Sequence, residues 1–165
     1  MTHETASPAP RPLAEPERER LYLHPGQLTA SLAPAAVTTI LGSCVAVCLW
    51  DPKLRAGGMN HFVLPLSPGG PRNPRFCKAA IELLLERMAS LGCRPSRIQA
   101  KIFGGANRLE MKSAGVAGLG QQNVDAARAL LAELKIPILA QDVGGTAARK
   151  LIFQTDDGVC LLKRM

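Results

Sequence analysis

Residues 38–51 read TTILGSCVAVCLWD, a stretch in which a turn of small residues leads into a long apolar run. Val45 to Trp50 is rich in β-branched and aromatic side chains, a composition typical of a buried β-strand. Gly42 and Ser43 interrupt the apolar pattern immediately before Cys44. The stretch therefore predicts a buried strand that carries a thiol at its entry.

Further strands are predicted on both sides of this one. Met59 to Leu64 forms a second apolar run after the Gly57-Gly58 break, and the two runs are expected to share one sheet. The remaining strand segments end at turn residues or at glycine pairs. They are 21–23, 98–103, 138–143 and a C-terminal hairpin of 150–155 with 159–163.

Two amphipathic helices complete the predicted fold. Asn73 is a candidate N-cap with Pro74 at the first helical position, and apolar residues then recur at helical spacing as far as Leu91. A second helix follows Gly120 and ends at Pro137. Mixed strands with two long helices predict an α/β fold, a layered sandwich in which helices cover a mixed sheet.

Composition divides the chain into a tail and one domain. Residues 1–20 are rich in proline and charge and offer almost nothing apolar to bury, so a disordered tail is expected there. Residues 21–165 are expected to form a single domain, because a chain of 165 residues with 47% hydrophobic residues has the apolar content for one core.

Charge and composition narrow the classes of partner. The formal net charge of +7 favours an acidic protein surface, a phosphate backbone or an anionic membrane. Only 4% of residues are aromatic and no Lys/Arg run is present, which disfavours nucleic acid. No apolar stretch approaches the roughly 20 residues that span a bilayer, so membrane insertion is not expected. Five cysteines without a signal-peptide pattern predict reduced thiols and cytoplasmic localisation.

Cys44 is the candidate nucleophile. A thiol acts as a nucleophile when its pKa is lowered or when a base stands beside it, and the small residues before Cys44 give a substrate carbonyl room to approach. The alternative is that Cys44 packs as a small core residue. Of the three histidines, His3 lies in the tail and His24 in a turn, whereas His61 follows the cysteine strand and can supply the base.

The position of His61 raises a geometric difficulty. In a simple hairpin of the two strands, His61 would lie opposite Val47 or Cys48, about three residues along from Cys44. A Cys44–His61 couple therefore requires a different register, a bulge or a bend at Gly42-Ser43. Thr38 precedes Cys44 by six residues, so a continuous strand would place both side chains on one face and Thr39 on the other. Thr38 is then a candidate to orient the imidazole or to bind substrate.

These residues resemble a known family. The blocks LGSCVAVCLWD, GGMNHFVLP, KIFGGANRL, LGQQNV and DVGGTAARKLIFQTDDG occur in the order found in the CheD-type chemoreceptor glutamine deamidases. The resemblance runs from His24-Pro25-Gly26 to the C-terminus. It implies a nucleophilic cysteine at Cys44, a histidine at His61 and a threonine at Thr38, on an α/β sandwich related to that of bacterial deamidating toxins.

The resemblance also implies a reaction and its participants. The reaction is conversion of glutamine side chains of methyl-accepting chemotaxis receptors to glutamate through a cysteine thioester, with release of ammonia. No cofactor or metal is implied, and a CheC-type phosphatase is a possible partner. Candidates for substrate binding are Ser43, Gly104, Gly105, Gln121 and Asn123. The sequence departs from the family pattern at Ala148, where a glycine is expected, and in the proline-rich tail.

Two other classes of function stay open. One is a non-catalytic adaptor that keeps the fold and binds chemoreceptors or a CheC-type phosphatase. The other is a basic nucleic-acid module, which would show salt-dependent retention on DNA or RNA. Cys48 forms a C-x3-C pair with Cys44, but the chain has no second close cysteine pair to complete a zinc site, and Cys48 is expected to be a core residue.

Overall fold

The computed structural model describes residues 9–10, 14–107 and 117–165. They form two β-sheets and two α-helices stacked in three layers. The strands are β1 (Glu19–Tyr22), β2 (Leu28–Ser31), β3 (Ala35–Leu41), β4 (Val45–Asp51), β5 (Ala56–Asn60), β6 (Gln99–Gly104), β7 (Ile138–Val143), β8 (Arg149–Gln154) and β9 (Cys160–Arg164). The helices are α1 (Cys77–Ser90) and α2 (Leu119–Glu133). The predicted α/β sandwich is confirmed.

The strands divide between two mixed sheets. The four-stranded sheet has the order β1-β3-β8-β9, and the five-stranded sheet has the order β2-β5-β4-β6-β7. Each contains one parallel pair, β1 with β3 and β6 with β7. The sequence predicted a single mixed sheet. A second sheet arises because the chain bends at Gly42-Ser43, so that β3 and β4 belong to different sheets instead of forming one strand.

The five-stranded sheet is the central layer and packs on both faces. Val45, Val47 and Leu49 of β4 pack with the apolar faces of α1 and α2. Ala46 and Cys48 point the opposite way, into the layer between the two sheets. Strand β4 is buried on both faces, which explains its nearly continuous apolar sequence.

The layer between the sheets is a second apolar cluster. Inward side chains of β3 and β8, including Val37, Leu41 and Phe153, meet Met59 and Phe103 of the five-stranded sheet. Along β3, alternate residues are buried and partly exposed, so that Val37, Thr39 and Leu41 face inward and Thr38 and Ile40 face outward. This alternation fixes which threonine can reach the layer in which Cys44 lies.

Several predicted boundaries shift. The second predicted strand, Met59 to Leu64, is observed as Ala56–Asn60 and includes the Gly57-Gly58 pair. Helix α1 begins at Cys77, not at Pro74, because Phe76 is still in an extended conformation and forms a bridge with Leu64. Asn73 caps a local turn instead, accepting a hydrogen bond from the Arg75 backbone N–H. The predicted tail of residues 1–20 lies partly outside the described residues. Within it, β1 begins at Glu19, and the Arg18 guanidinium binds the carboxylates of Asp156 and Asp157.

Candidate active site

Cys44 and His61 occupy the same face of two adjoining strand segments. Val45 pairs with Phe62 through two backbone hydrogen bonds, in the same register that pairs Cys48 with Met59. Counted along that register, His61 lies opposite Ala46, and Cys44 is two residues from Ala46 on the same face. Such diagonal neighbours have Cα atoms roughly 7–8 Å apart, within reach of an aromatic side chain. The register differs from the simple hairpin by one or two residues, and no bulge is needed.

The His61 ring is held from the opposite sheet by Thr39. Its Nδ1 lies 2.7 Å from Thr39 Oγ1, and the same hydroxyl donates to the Leu23 carbonyl oxygen at 2.7 Å. A threonine hydroxyl has a single proton to donate. Since that proton goes to Leu23, the Nδ1 of His61 must be the donor to Thr39. The neutral ring therefore carries its free lone pair on Nε2.

The Nε2 atom of His61 is buried and has no hydrogen-bond partner among the described residues. Buried polar atoms without partners are uncommon and call for an explanation. An imidazole nitrogen with an unshared lone pair can accept a proton, which is the property that a general base requires.

Burial makes the His61 imidazole a weaker base, so that it is uncharged at neutral pH. Desolvation, with a smaller contribution from the nearby charge of His24, lowers the pKa of His61 from 6.5 to about 4. The imidazole is therefore unprotonated at neutral pH and can accept a proton. It does not act as a permanent cation beside the thiol.

The Cys44 thiol is also neutral at rest. Burial raises its pKa, while the positive charge of Arg75 and a hydrogen bond from the backbone N–H of Cys44 itself partly oppose that rise. Cys44 Sγ and His61 Nε2 are not hydrogen-bonded in this structure. Catalytic hydrogen bonds are often long in the absence of substrate and tighten when it binds. The resting site is thus a thiol and an imidazole, not a preformed ion pair.

A pair of glycines anchors the start of β4. The backbone N–H of Gly105 donates to the Cys44 carbonyl oxygen at 2.9 Å, and a side chain at Gly104 would collide with that same carbonyl. Gly104 also has a positive φ of 107°, which favours glycine. The buried guanidinium of Arg149 binds the carbonyls of Gly104 and Gly144 and the carboxylate of Asp142. Gly104 and Gly105, predicted to bind substrate, therefore hold the backbone around Cys44.

Asn123 ties the two site segments together. Its Nδ2 donates to the carbonyl oxygens of Ser43 and Val63, each at 2.9 Å, and its side chain is completely buried. Ser43 precedes the thiol, and Val63 lies opposite Cys44 in the β4–β5 register. The structure thus places the predicted substrate-binding residues Ser43 and Asn123 in a bridge behind the thiol. Gln121, on the first turn of α2, is half-exposed and donates to Asp125.

Thr38 does not join the site, which corrects the expected geometry. It lies on the outward face of β3, paired with Tyr22 and Ile152, while the inward Thr39 contacts His61. The expectation assumed one continuous strand from Thr38 to Cys44. The bend at Gly42-Ser43 breaks that strand, so that residues an even number of positions before Cys44 no longer share its face. Thr39 is therefore the residue that sequence reasoning missed. Recognising the Gly-Ser pair as a strand end would have found it.

A cavity of about 690 Å³ lies elsewhere, between the β1–β2 segment and α1. Its lining includes Leu21, Tyr22 and Arg87, and neither Cys44 nor His61. No helix of the described residues has the length and apolar character needed to span a membrane.

The fold and site define a class: an α/β sandwich that carries a thiol and a neutral histidine on neighbouring strand segments, the residue types used for nucleophilic cysteine chemistry. The comparisons specify it further. Residues 63–164 match the family model described as CheD chemotactic sensory transduction. The chain belongs to the CheD family, which confirms the family predicted from the sequence.

Three relatives of similar length carry names that describe an activity. The chain is 45% identical over 148 residues to "Probable chemoreceptor glutamine deamidase CheD 1" of Anaeromyxobacter dehalogenans, covering 90% of this chain and 86% of that protein. It is 44% identical over 146 residues to "Probable chemoreceptor glutamine deamidase CheD" of Trichlorobacter lovleyi, covering 88% and 90%. The protein of that name from Sulfurimonas denitrificans is 39% identical over 148 residues, covering 89% and 95%.

The relatives extend the comparison to the site itself. The family model begins after His61, so it does not include the thiol–imidazole pair. An alignment that covers 90% of a 165-residue chain must include both Cys44 and His61. The similarity to these relatives therefore spans the whole site.

Proposed function

We propose that this protein hydrolyses the side-chain amides of glutamine residues in methyl-accepting chemotaxis receptors, forming glutamate and ammonia. The observation that carries the proposal is the diagonal pairing of Cys44 with His61, whose Nε2 has no hydrogen-bond partner in the described part of the chain. Its support in the comparisons is that the relatives aligned across both residues are named as probable chemoreceptor glutamine deamidases. Thiol, imidazole and water suffice for this reaction, and it requires no cofactor.

The proposed mechanism uses the tautomer that Thr39 selects. Nε2 of His61 removes the thiol proton as Cys44 Sγ attacks the amide carbon of the substrate. The imidazolium then returns that proton to the departing nitrogen, so that ammonia leaves and a glutamyl thioester remains. Nε2 next accepts a proton from water as the water oxygen attacks the thioester. Collapse of this intermediate releases glutamate and restores the Cys44 thiol.

Each tetrahedral intermediate carries an oxyanion that needs hydrogen-bond donors. The Gly105 N–H is already bound to the Cys44 carbonyl, which removes it from the candidates. Interaction of the Cys44 N–H with its own sulfur lowers the pKa of that thiol. We propose this N–H as one donor, because an oxyanion formed by attack of that sulfur develops close to it.

A non-catalytic adaptor is the second candidate, with chemoreceptors or a CheC-type phosphatase as its binding partner. Incubation of the wild-type protein with a chemoreceptor cytoplasmic fragment, followed by mass spectrometry of its peptides, separates the two. We expect conversion of specific glutamines to glutamate by the protein. Binding without conversion, on fragments of several receptors, would favour the adaptor and overturn the enzymatic proposal.

The pH dependence of the reaction should report the depressed pKa of His61. Above its pKa of about 4 the imidazole is neutral and competent as a base, and below that value it is protonated and inactive. We expect kcat/KM to stay level from neutral pH to about pH 5 and to fall with an apparent pKa near 4. A fall centred near 6.5 would show an imidazole that is not desolvated in the free enzyme.

Thr39→Val should lower kcat about fivefold, because a hydrogen bond of about 1 kcal/mol that orients the base is lost. Thr39→Ser keeps the hydroxyl and should restore most of the activity, which separates orientation of the ring from packing. The matched substitution Thr38→Val lies on the outward face of β3 and should leave kcat within about twofold. The measurement is kcat on the receptor fragment, with the folded fraction checked by thermal unfolding. A large loss of kcat in Thr38→Val alone would instead support the role that the family resemblance gave to Thr38.

A further inference from the structure

The outward face of the four-stranded sheet is uncovered in the described part of the chain. We call the outward residues of β1, β3, β8 and β9 the open face. Tyr22, Ile40 and Leu161 on this face are 49%, 43% and 50% exposed. Large apolar side chains grouped on one exposed face, unlike single scattered ones, mark a site of interaction.

A row of mostly apolar side chains crosses all four strands of the open face. Tyr22 pairs with Thr38, Thr38 with Ile152, and Ile152 with Leu161. Neighbouring strands lie about 4.8 Å apart, so the row is about 14 Å long with one side chain per strand. The spacing is close to the 5.4 Å pitch of an α-helix, which presents one apolar residue per turn along a stripe. About ten residues of helix would cover the row.

Cations flank this row on both sides. Lys150 of β8 lies opposite Lys163 of β9. Both lysines lie on the side of the row that is nearer to the end of β3 and to Cys44. Arg20 lies on the other side, beside Ala36. The strand residues on the open face include no Asp or Glu. The face therefore complements an apolar stripe bordered by carboxylates.

We propose that the open face binds an acidic amphipathic helix of the protein substrate, laid across β1, β3, β8 and β9. This rests on the proposed function for the source of the helix. The open face lies on the other side of the four-stranded sheet from Cys44 and His61, and it comes nearest to them along the chain at the end of β3, where Ile40 precedes Cys44 by four residues. A helix bound there would bring a neighbouring glutamine of the same protein to the thiol.

Charge argues against a second copy of the chain as the occupant. A two-fold dimer through this face would oppose the same patch to itself, so that cations, Lys150, Lys163 and Arg20, would border the interface from both chains without carboxylates to pair with. An added β-strand is also a poorer fit, since strands add to the edge of a sheet and not to its face.

Two double variants test the open face in the full chain. Lys150→Glu with Lys163→Glu reverses the charge, and Tyr22→Ala with Leu161→Ser removes apolar contacts. The matched controls are Lys53→Glu with Lys78→Glu, which are exposed lysines outside this face, and Leu139→Ser, an exposed leucine on β7 of the other sheet. We expect both open-face variants to raise KM for the receptor fragment about tenfold with kcat within twofold. Turnover of a short glutamine peptide, which cannot span the face, should be unchanged.

Each of the other outcomes either supports or overturns the proposal that the open face binds the substrate helix. An unchanged KM in both open-face variants overturns the proposal, and so does an equal rise in the lysine control, which would indicate unspecific attraction. Dimerisation in light scattering that the variants abolish, or binding to phosphatidylglycerol vesicles in place of the fragment, assigns the face to another occupant. If the wild type deamidates nothing, fluorescence anisotropy with the fragment still measures docking. Binding that only the open-face variants lose would then uphold the docking surface while the proposed enzymatic function fails.

Discussion

Cys44→Ala is expected to abolish glutamine deamidation, lowering kcat/KM by at least about 10⁴-fold. In the proposed mechanism the sulfur forms the bond that splits amide hydrolysis into two steps. Without it, His61 alone would have to activate water against an unactivated amide. Peptide mass spectrometry of the receptor fragment measures the residual conversion at each glutamine.

The loss must be separated from a loss of fold. The Cys44 side chain is half-buried at the start of β4, and replacing it with alanine removes one sulfur atom and leaves the Gly105–Cys44 backbone hydrogen bond in place. Cys160→Ala is the matched control, because that thiol is also half-buried and packs in the layer between the sheets. The control should keep its activity, with both variants unfolding at similar temperatures. Deamidation by Cys44→Ala at the wild-type rate would remove the thiol from the mechanism.

Sequence patterns predicted the individual strands and helices better than the assignment of the strands to sheets. The strand at Val45 and the two helices follow from local apolar periodicity, and the structure shows them within a few residues. That β3 and β4 lie in different sheets depends on what packs across the layer, which a local pattern does not contain. The start of α1 also shifted for a tertiary reason, since the bridge of Phe76 to Leu64 keeps the chain extended beyond Pro74.

The site shows the same limit. Cys44 and His61 could be selected from residue types, because few histidines were available and a thiol followed a small-residue turn. Their spatial relation depended on the register of β4 with the segment after β5, which sequence alone left open. Thr39 was missed because the alternation of side chains was counted along one continuous strand from Thr38 to Cys44, although the chain bends at Gly42-Ser43. The bridging role of Asn123 depends on a helix from a distant part of the chain.

His61→Gln is the second substitution with a large expected effect, a loss of about 10²–10⁴-fold in kcat/KM. It removes the group that takes the thiol proton, returns it to the leaving nitrogen and then activates water. The loss should be smaller than that of Cys44→Ala, because the nucleophile remains and its thiolate can still form at high pH.

The residual activity of His61→Gln should also change its response to pH. Burial raises the pKa of Cys44, so only a small fraction of the thiol ionises near neutrality. With no internal base, the rate should follow that fraction and rise about tenfold per pH unit between pH 7 and 9, where the wild-type rate is nearly level. His24→Gln is the control: its removal takes away a charge that lowers the pKa of His61, so activity should persist with the acid limb shifted upward. A flat profile in His61→Gln, or an equal loss in His24→Gln, would show that the Nε2 of His61 is not the base.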